Sequence, residues 1–330
     1  MHPAFSVIVF TVSSGIGYGM LFWLAINATL GNLSILAVRV WPADLWFGLV
    51  AFGIAFIAIV AGLLSSTFHL GHPERAWRAF SQWRSSWLSR EGVASVLTFV
   101  PTGLFAIGWI FLGDSSGWWL AAGIVGAACC LATVYCTAMI YGSLRPIKAW
   151  NLSDVPMVYL ALSLASGAVW LGPIARIFAI PFGWSDLFVP VALALAAVLK
   201  WRYWARIDAI HRGDGTGRMP TRGSAIGLPE SKSVQPLDPP HTQQNYLMKE
   251  MGFAVARRHA TKLRRLSLLL LFALPALAWL LALFLAPLLQ IVVLAIGALA
   301  MTIGLPIERW LFFAEAKHTV MLYYRGSELG

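Results

Sequence analysis

Charged side chains are scarce in this chain: Asp, Glu, Lys and Arg together make up 12% of its 330 residues, and 59% of the sequence is hydrophobic. Soluble domains usually carry about a quarter of charged residues. A water-soluble fold of this size could not remove so much apolar surface from water. Three cysteines are too few for a disulfide scaffold. The composition therefore excludes a soluble domain, a disordered chain and a disulfide-rich secreted protein, and leaves a membrane protein with several spans.

Runs without charged residues predict the spans. The longest is Leu266–Ile307, whose 42 residues would form a helix of about 63 Å. Because a bilayer core is roughly 30 Å thick, this run must fold back, and Pro287 and Gln290 mark the expected turn. Long unbroken apolar runs also lack the alternation of barrel strands, which leaves helices as the spanning elements.

The predicted fold is an all-α polytopic membrane protein with eight transmembrane helices. The sixth is the weakest, because thirteen residues separate Asp186 from Lys200, and it requires Lys200 and Arg202 to snorkel. Gly15, Gly17 and Gly19 predict close packing of the first helix against a neighbour. The expected spans are residues 5–30, 45–68, 90–112, 117–141, 154–175, 182–203, 266–287 and 290–310.

Basic residues lie almost entirely on one side of these spans. One face carries the N-terminus, the loops at 69–91, 142–154 and 200–265, and the C-terminal tail, which together hold 22 of the 24 Lys and Arg residues. The positive-inside rule makes this face cytoplasmic, so we expect both termini in the cytoplasm. The membrane is expected to be the bacterial inner membrane.

The loop at 200–265 holds 13 Lys and Arg residues against five acidic ones, a net charge of +8. It is either a solvated basic loop or a docking surface for a partner subunit or acidic lipids. Its glycines at 213–217 precede no Gly-Lys-Ser/Thr sequence, so they do not form a phosphate loop. Nucleic-acid binding is not expected.

The sequence predicts no haem and no iron–sulfur cluster in this chain. Haem between transmembrane helices needs an axial ligand inside a span, and none of the seven histidines lies at the middle of a predicted span. The cysteines follow no cluster-binding pattern and are interpreted as core residues: Cys129, Cys130 and Cys136.

The segment at 68–92 holds the candidate site. His69 ends the second span and Glu91 begins the third, and the aromatic residues between them predict a short helix lying in the membrane interface. A carboxylate at the mouth of a span is costly unless it is paired or used. A histidine and a carboxylate beside a lipid-accessible aromatic pocket suit quinone chemistry, which moves protons together with electrons. Arg75 or Arg90 could hold Glu91 or stabilise a quinone anion; a purely structural interface pair remains the alternative.

The same segment resembles the DmsC family, the membrane anchor subunits of dimethyl sulfoxide reductase and related iron–sulfur molybdoenzymes. The resemblance lies in Phe68-His69-Leu70-Gly71, Arg75-Ala76, the Ser-x-Glu ending at Glu91, and the opening Pro3-Ala4-Phe5-Ser6. It implies a quinone site at His69, Gly71, Arg75 and Glu91 with Trp77 nearby, where Glu91 and His69 handle protons. It also implies two partners, an iron–sulfur subunit and a molybdopterin catalytic subunit.

His72, Glu74 and Trp87 depart from the reductase pattern. The reductase's catalytic subunits lie in the periplasm, whereas here the corresponding face is basic. The block at 308–318 and the segment at 238–242 resemble instead the anchor of sulfite dehydrogenase, which passes electrons from cytoplasmic sulfite oxidation to the quinone pool. The alternatives are an anchor of an S- or N-oxide reductase that oxidises menaquinol, an anchor without a quinone site, and a secondary transporter.

Overall fold

A computed structural model describes residues 4–33, 44–68, 72–212, 221–228, 234 and 254–320. Within these ranges the protein is a helical bundle without strand elements. Among the described residues, eight helices are long and apolar enough to cross a membrane. The prediction of an all-α protein with eight such helices is confirmed.

The eight long helices follow one another along the chain. They are α1 (Phe5–Asn32), α2 (Leu45–Thr67), α3 (Trp87–Phe111), α4 (Gly117–Gly142), α5 (Asp154–Ile177), α6 (Phe188–Arg212), α7 and α8 (Pro287–Ala314). Helix α7 has three successive parts, which are Ala254–Leu268, the π-helical turn Leu269–Ala273, and Leu274–Ala282. Between α2 and α3 lies a 3₁₀ helix, Pro73–Gln82, which we call the interfacial segment.

The fold-back of the long apolar run occurs where α7 gives way to α8. Pro287 is the first residue of α8, a position where its missing N–H and fixed φ are tolerated. The Gln290 side chain donates a hydrogen bond to the Leu285 carbonyl oxygen at 2.9 Å and so closes the turn.

Both ends of the segment 200–265 are helical, so this segment is not a loop throughout. Helix α6 continues to Arg212, and α7 begins at Ala254. Ion pairs explain the extension: Asp154 of α5 accepts from Arg202 at 2.6 Å and also from Arg206. Residues 213–220, 229–233 and 235–253 lie outside the described ranges, and the docking surface expected there stays a prediction.

Helices α1 and α5 form the centre of the bundle. In the most apolar 18-residue stretch of each helix, 72% of α1 and 78% of α5 is buried inside the protein. The corresponding share in the other six helices is 33–44%. A Cβ atom on Gly19 would overlap the carbonyl oxygen of Ser163, and one on Gly167 would overlap the backbone at Gly19. The Ser163 hydroxyl donates to the Gly15 carbonyl oxygen at 2.6 Å. The expected close packing of α1 is therefore confirmed, and α5 is a direct backbone neighbour.

Candidate functional site

Glu91 lies inside the bundle, near the start of α3. Its residue is 5% exposed, and its carboxylate accepts a hydrogen bond from the Thr137 hydroxyl of α4. A second contact between the two helices follows deeper in the membrane, where the Thr98 and Thr133 hydroxyl oxygens lie 3.0 Å apart. The Thr137 hydroxyl therefore gives the Glu91 carboxylate a hydrogen-bond partner between two largely apolar helices. Burial of this carboxylate without a partner would be costly.

The interfacial segment is attached to α3 beside Glu91. Ser89 donates from its hydroxyl to the carbonyl oxygen of Ala79. The Arg90 guanidinium donates to the carbonyl oxygens of Trp83 at 3.0 Å and Arg84 at 2.6 Å. It also lies 4.3 Å from the centroid of the Trp87 ring. These contacts fix the interfacial segment against the start of α3. The Arg90 side chain binds backbone carbonyl oxygens, and the hydrogen-bond donor to Glu91 is Thr137.

The other predicted site residues are less closely gathered. Arg75 and Trp77 are exposed on the interfacial segment, and the Trp77 residue is 66% exposed. Glu74 lies 3.8 Å from the Arg75 Nε atom and 3.0 Å from the His72 Nδ1 atom. His69 and Gly71 lie outside the described residues. The structure therefore directs the Arg90 side chain to the Trp83 and Arg84 carbonyl oxygens and not to Glu91, and it gives Arg75 a partner, Glu74, on its own segment.

A buried charge cluster lies at the same end of the bundle, where α6 meets α8. Lys200 and Arg309 both donate to the carboxylate of Glu308, and all three residues are buried. We call these three residues the charge cluster. The Arg309 guanidinium lies 3.9 Å from the centroid of the Tyr159 ring on α5.

The cluster corrects one expectation from the sequence. Lys200 does not snorkel to the membrane surface, because it is 0% exposed and bound to Glu308. Glu308 is correspondingly an interior residue. Ionisable residues inside spans usually pair with one another, and this signal could have indicated the Lys200–Glu308 pair. No comparable signal singles out Thr137.

A second ion-pair group continues from the charge cluster toward the end of α8. Arg264 of α7 donates to Glu315 at 2.8 Å and to both carboxylate oxygens of Asp208 at 2.9 Å. Burial raises the pKa of Glu315, and the neighbouring Arg264 opposes that rise. Asp208 is 40% exposed at its side chain, so this group reaches the surface.

Within the described ranges, no group of three or more His, Cys, Asp or Glu residues is arranged to hold a metal ion. The three cysteines of α4 are free thiols. The chemistry that these residues can supply is proton exchange at carboxylates, supported by hydroxyl donors and fixed cations.

Two comparisons with known proteins agree on the kind of protein. Residues 1–314 match a family described as the DMSO reductase anchor subunit (DmsC). The chain is also 33% identical over 349 aligned positions to a sulfite dehydrogenase subunit from Allochromatium vinosum, an alignment that covers 98% of this chain and 99% of the relative. The family match runs from before α1 to the last residue of α8.

Proposed function

Because the chain belongs to the DmsC family of membrane anchor subunits, we propose that it is the quinone-reactive anchor of a molybdoenzyme complex. It passes electrons between the iron–sulfur subunit of that complex and the quinone pool of the bacterial inner membrane. The proposed source of the electrons is cytoplasmic sulfite oxidation at a molybdopterin subunit. The relative named as a sulfite dehydrogenase subunit supports this choice.

The observation that carries the quinone assignment is Glu91. A quinone takes up protons as it takes up electrons, so its site needs a group that can deliver protons inside the membrane. Glu91 is buried, and its carboxylate accepts a hydrogen bond from the Thr137 hydroxyl. In the proposal it lies near the membrane interface, where the quinone ring can arrive from lipid. In the proposal, His69 exchanges protons with it, and the ring is surrounded by Gly71, Arg75, Trp77 and Arg90.

Metal content and substrate use test the function as a whole. An affinity-tagged chain, purified in mild detergent from its native host, should bring with it two soluble subunits that contain molybdenum and iron. Sulfite added to this complex should reduce a quinone analogue. A tagged chain purified without either metal would contradict the proposal, since the cofactors belong to the partner subunits.

The family description favours one alternative, an anchor of a reductase for dimethyl sulfoxide or another S- or N-oxide that oxidises menaquinol. The purified complex distinguishes the two. A sulfite dehydrogenase complex reduces quinone with sulfite, whereas a reductase complex oxidises a quinol analogue only when an S- or N-oxide is present.

The orientation of the bundle is a separate prediction. The segments predicted on one side of the membrane hold 22 of the 24 Lys and Arg residues, and two of these, Lys200 and Arg309, are buried in the bundle near that side. We propose that this side, with both termini and the partner subunits, is cytoplasmic. Alkaline phosphatase fused after Ala286, between α7 and α8, should be active, and the same enzyme fused after Arg222 should be inactive. Green fluorescent protein at the same two positions should give the reciprocal result. The opposite pattern would place the partners in the periplasm and favour the reductase.

A further inference from the structure

The Thr137 hydroxyl lies beside two hydrogen-bond acceptors. Its oxygen is within hydrogen-bond distance of the Glu91 carboxylate, and it lies 3.1 Å from the backbone carbonyl oxygen of Thr133, one turn earlier on α4. A hydroxyl carries one hydrogen, so it donates to one of these acceptors at a time, while its lone pairs can accept. Thr137 can therefore form two different hydrogen-bond arrangements without moving its side chain.

The surroundings make Thr137 the main partner of the Glu91 carboxylate. Among the described residues, no other side chain donates to this carboxylate and no cation forms an ion pair with it. The adjacent Arg90 donates instead to the carbonyl oxygens of Trp83 and Arg84. Thr137 and Glu91 are both buried. Because a buried polar group without a partner is costly, this one hydroxyl has a large influence on Glu91.

Each protonation state of Glu91 fits one of the two arrangements. An ionised carboxylate only accepts, so the Thr137 hydroxyl donates to it. A protonated carboxyl group has an O–H of its own. This O–H can donate to the Thr137 oxygen while the Thr137 hydrogen turns to the Thr133 carbonyl oxygen. Since α4 is helical here, that carbonyl oxygen also accepts the backbone N–H of Thr137, and it keeps a partner when the hydroxyl hydrogen turns back to Glu91.

We propose that Thr137 is a positioning residue for quinone reduction, and that its hydroxyl turns between Glu91 and the Thr133 carbonyl oxygen as Glu91 loses and regains its proton. The inference rests on the proposed role of Glu91 and adds the group that keeps it hydrogen-bonded in both states. When Glu91 gives its proton to an oxygen of the reduced quinone, a carboxyl O–H bond breaks and a quinol O–H bond forms. The electrons come from the iron–sulfur subunit, and a proton from His69 returns Glu91 to its neutral form.

Thr137→Val tests this role in the intact complex, because valine has nearly the shape of threonine and lacks the hydroxyl. The ionised form of Glu91 then has no donor among the described residues, so giving up its proton becomes less favourable. Turnover of quinone should fall by about 10- to 100-fold, the factor expected from the loss of a hydrogen bond to a charged group. The KM for quinone should not change, because Thr137 acts on Glu91 and not on the quinone ring.

Three further variants separate the hydroxyl from the packing of α3 on α4. Thr137→Ser keeps the hydroxyl and should recover most of the wild-type turnover. Thr137→Cys has a weakly donating thiol and should lie between the serine and valine variants, which keeps the test open if the valine variant does not assemble. Thr133→Val makes the matched change one turn deeper, where the hydroxyl contacts Thr98, and should turn over quinone as the wild type does. A serine variant as slow as the valine variant, or an equally slow Thr133→Val, would overturn the inference.

A double variant shows whether Thr137 acts through Glu91. Glutamine cannot ionise, so adding Thr137→Val to Glu91→Gln should cause no further loss of turnover, whereas two independent effects would multiply. A further loss in the double variant therefore contradicts the switching hydroxyl. If Glu91→Gln is slow and Thr137→Val is normal, the role of Glu91 stands and the inference fails alone. If Glu91→Gln is itself normal, the proposed role of Glu91 fails first.

Discussion

A complex that carries Glu91→Gln should reduce quinone roughly 10²–10⁴-fold more slowly than the wild type, which is the usual cost of removing a group that transfers a proton in the reaction. Glutamine has nearly the volume of glutamate, and its amide oxygen can still accept the hydrogen bond from Thr137. The substitution therefore removes the exchangeable proton and leaves the packing of α3 on α4 in place. Turnover with a water-soluble quinone analogue measures the effect.

Two controls make this result specific. Electron transfer from the catalytic subunits to a soluble artificial acceptor should be unchanged in Glu91→Gln, because that path does not use the membrane site. Glu74→Gln removes an exposed carboxylate from the nearby interfacial segment and should leave quinone turnover near the wild-type value. A Glu91→Gln complex that reduces quinone normally would assign Glu91 to structure.

The second large effect is expected on stability, at Glu308. Glu308→Gln removes the carboxylate that both Lys200 and Arg309 bind and leaves two cations buried beside a neutral amide. Breaking a buried ion pair in this way typically costs about 3–5 kcal/mol. We expect the variant to lose most of its folded chain from membranes, or to melt at a much lower temperature in detergent when followed by tryptophan fluorescence.

Lys200→Met is the informative comparison for this effect. It removes one cation from the same group and leaves Glu308 paired with Arg309, so one positive and one negative charge remain together. Its loss of stability should be well below that of Glu308→Gln, although both variants change a single charge at one place. Equal losses of stability in the two variants, or a Glu308→Gln protein as stable as the wild type, would contradict the role of Glu308 as the shared counter-charge of Lys200 and Arg309.

The spans were predictable from the sequence because the bilayer imposes a simple rule. Backbone groups in hydrocarbon must be paired within a helix, so charge-free runs such as Leu266–Ile307 lead directly to α7 and α8. The glycines of α1 likewise predicted close packing, since small residues are what allow two backbones to touch. The position of Glu91 at the start of α3 followed from the same reasoning.

The contacts between helices were not predictable in the same way. Thr137 is one hydroxyl among many in the spans, and only the packing of α3 on α4 makes it the partner of Glu91. Lys200 lay near a predicted span end, where snorkelling and inward pairing are both physically sound. The choice depended on the distant Glu308. The lengths of α6 and α7 were underestimated because apolar runs mark the membrane and not the ends of helices, which ion pairs extend beyond it.

The pairing of α1 with α5 has a consequence for how the protein is made. Helix α1 leaves the ribosome first, yet one face of it, marked by Gly19, is completed only by Gly167 of α5. Three other spans are synthesised in between. During that interval α1 can pack on α2 and α4, but its surface at Gly15 and Gly19 lacks the α5 helix that covers it in the finished bundle. If translation halts before Asp154, four of the eight long helices are already made. The contact between α1 and α5 at the centre of the bundle has then not formed.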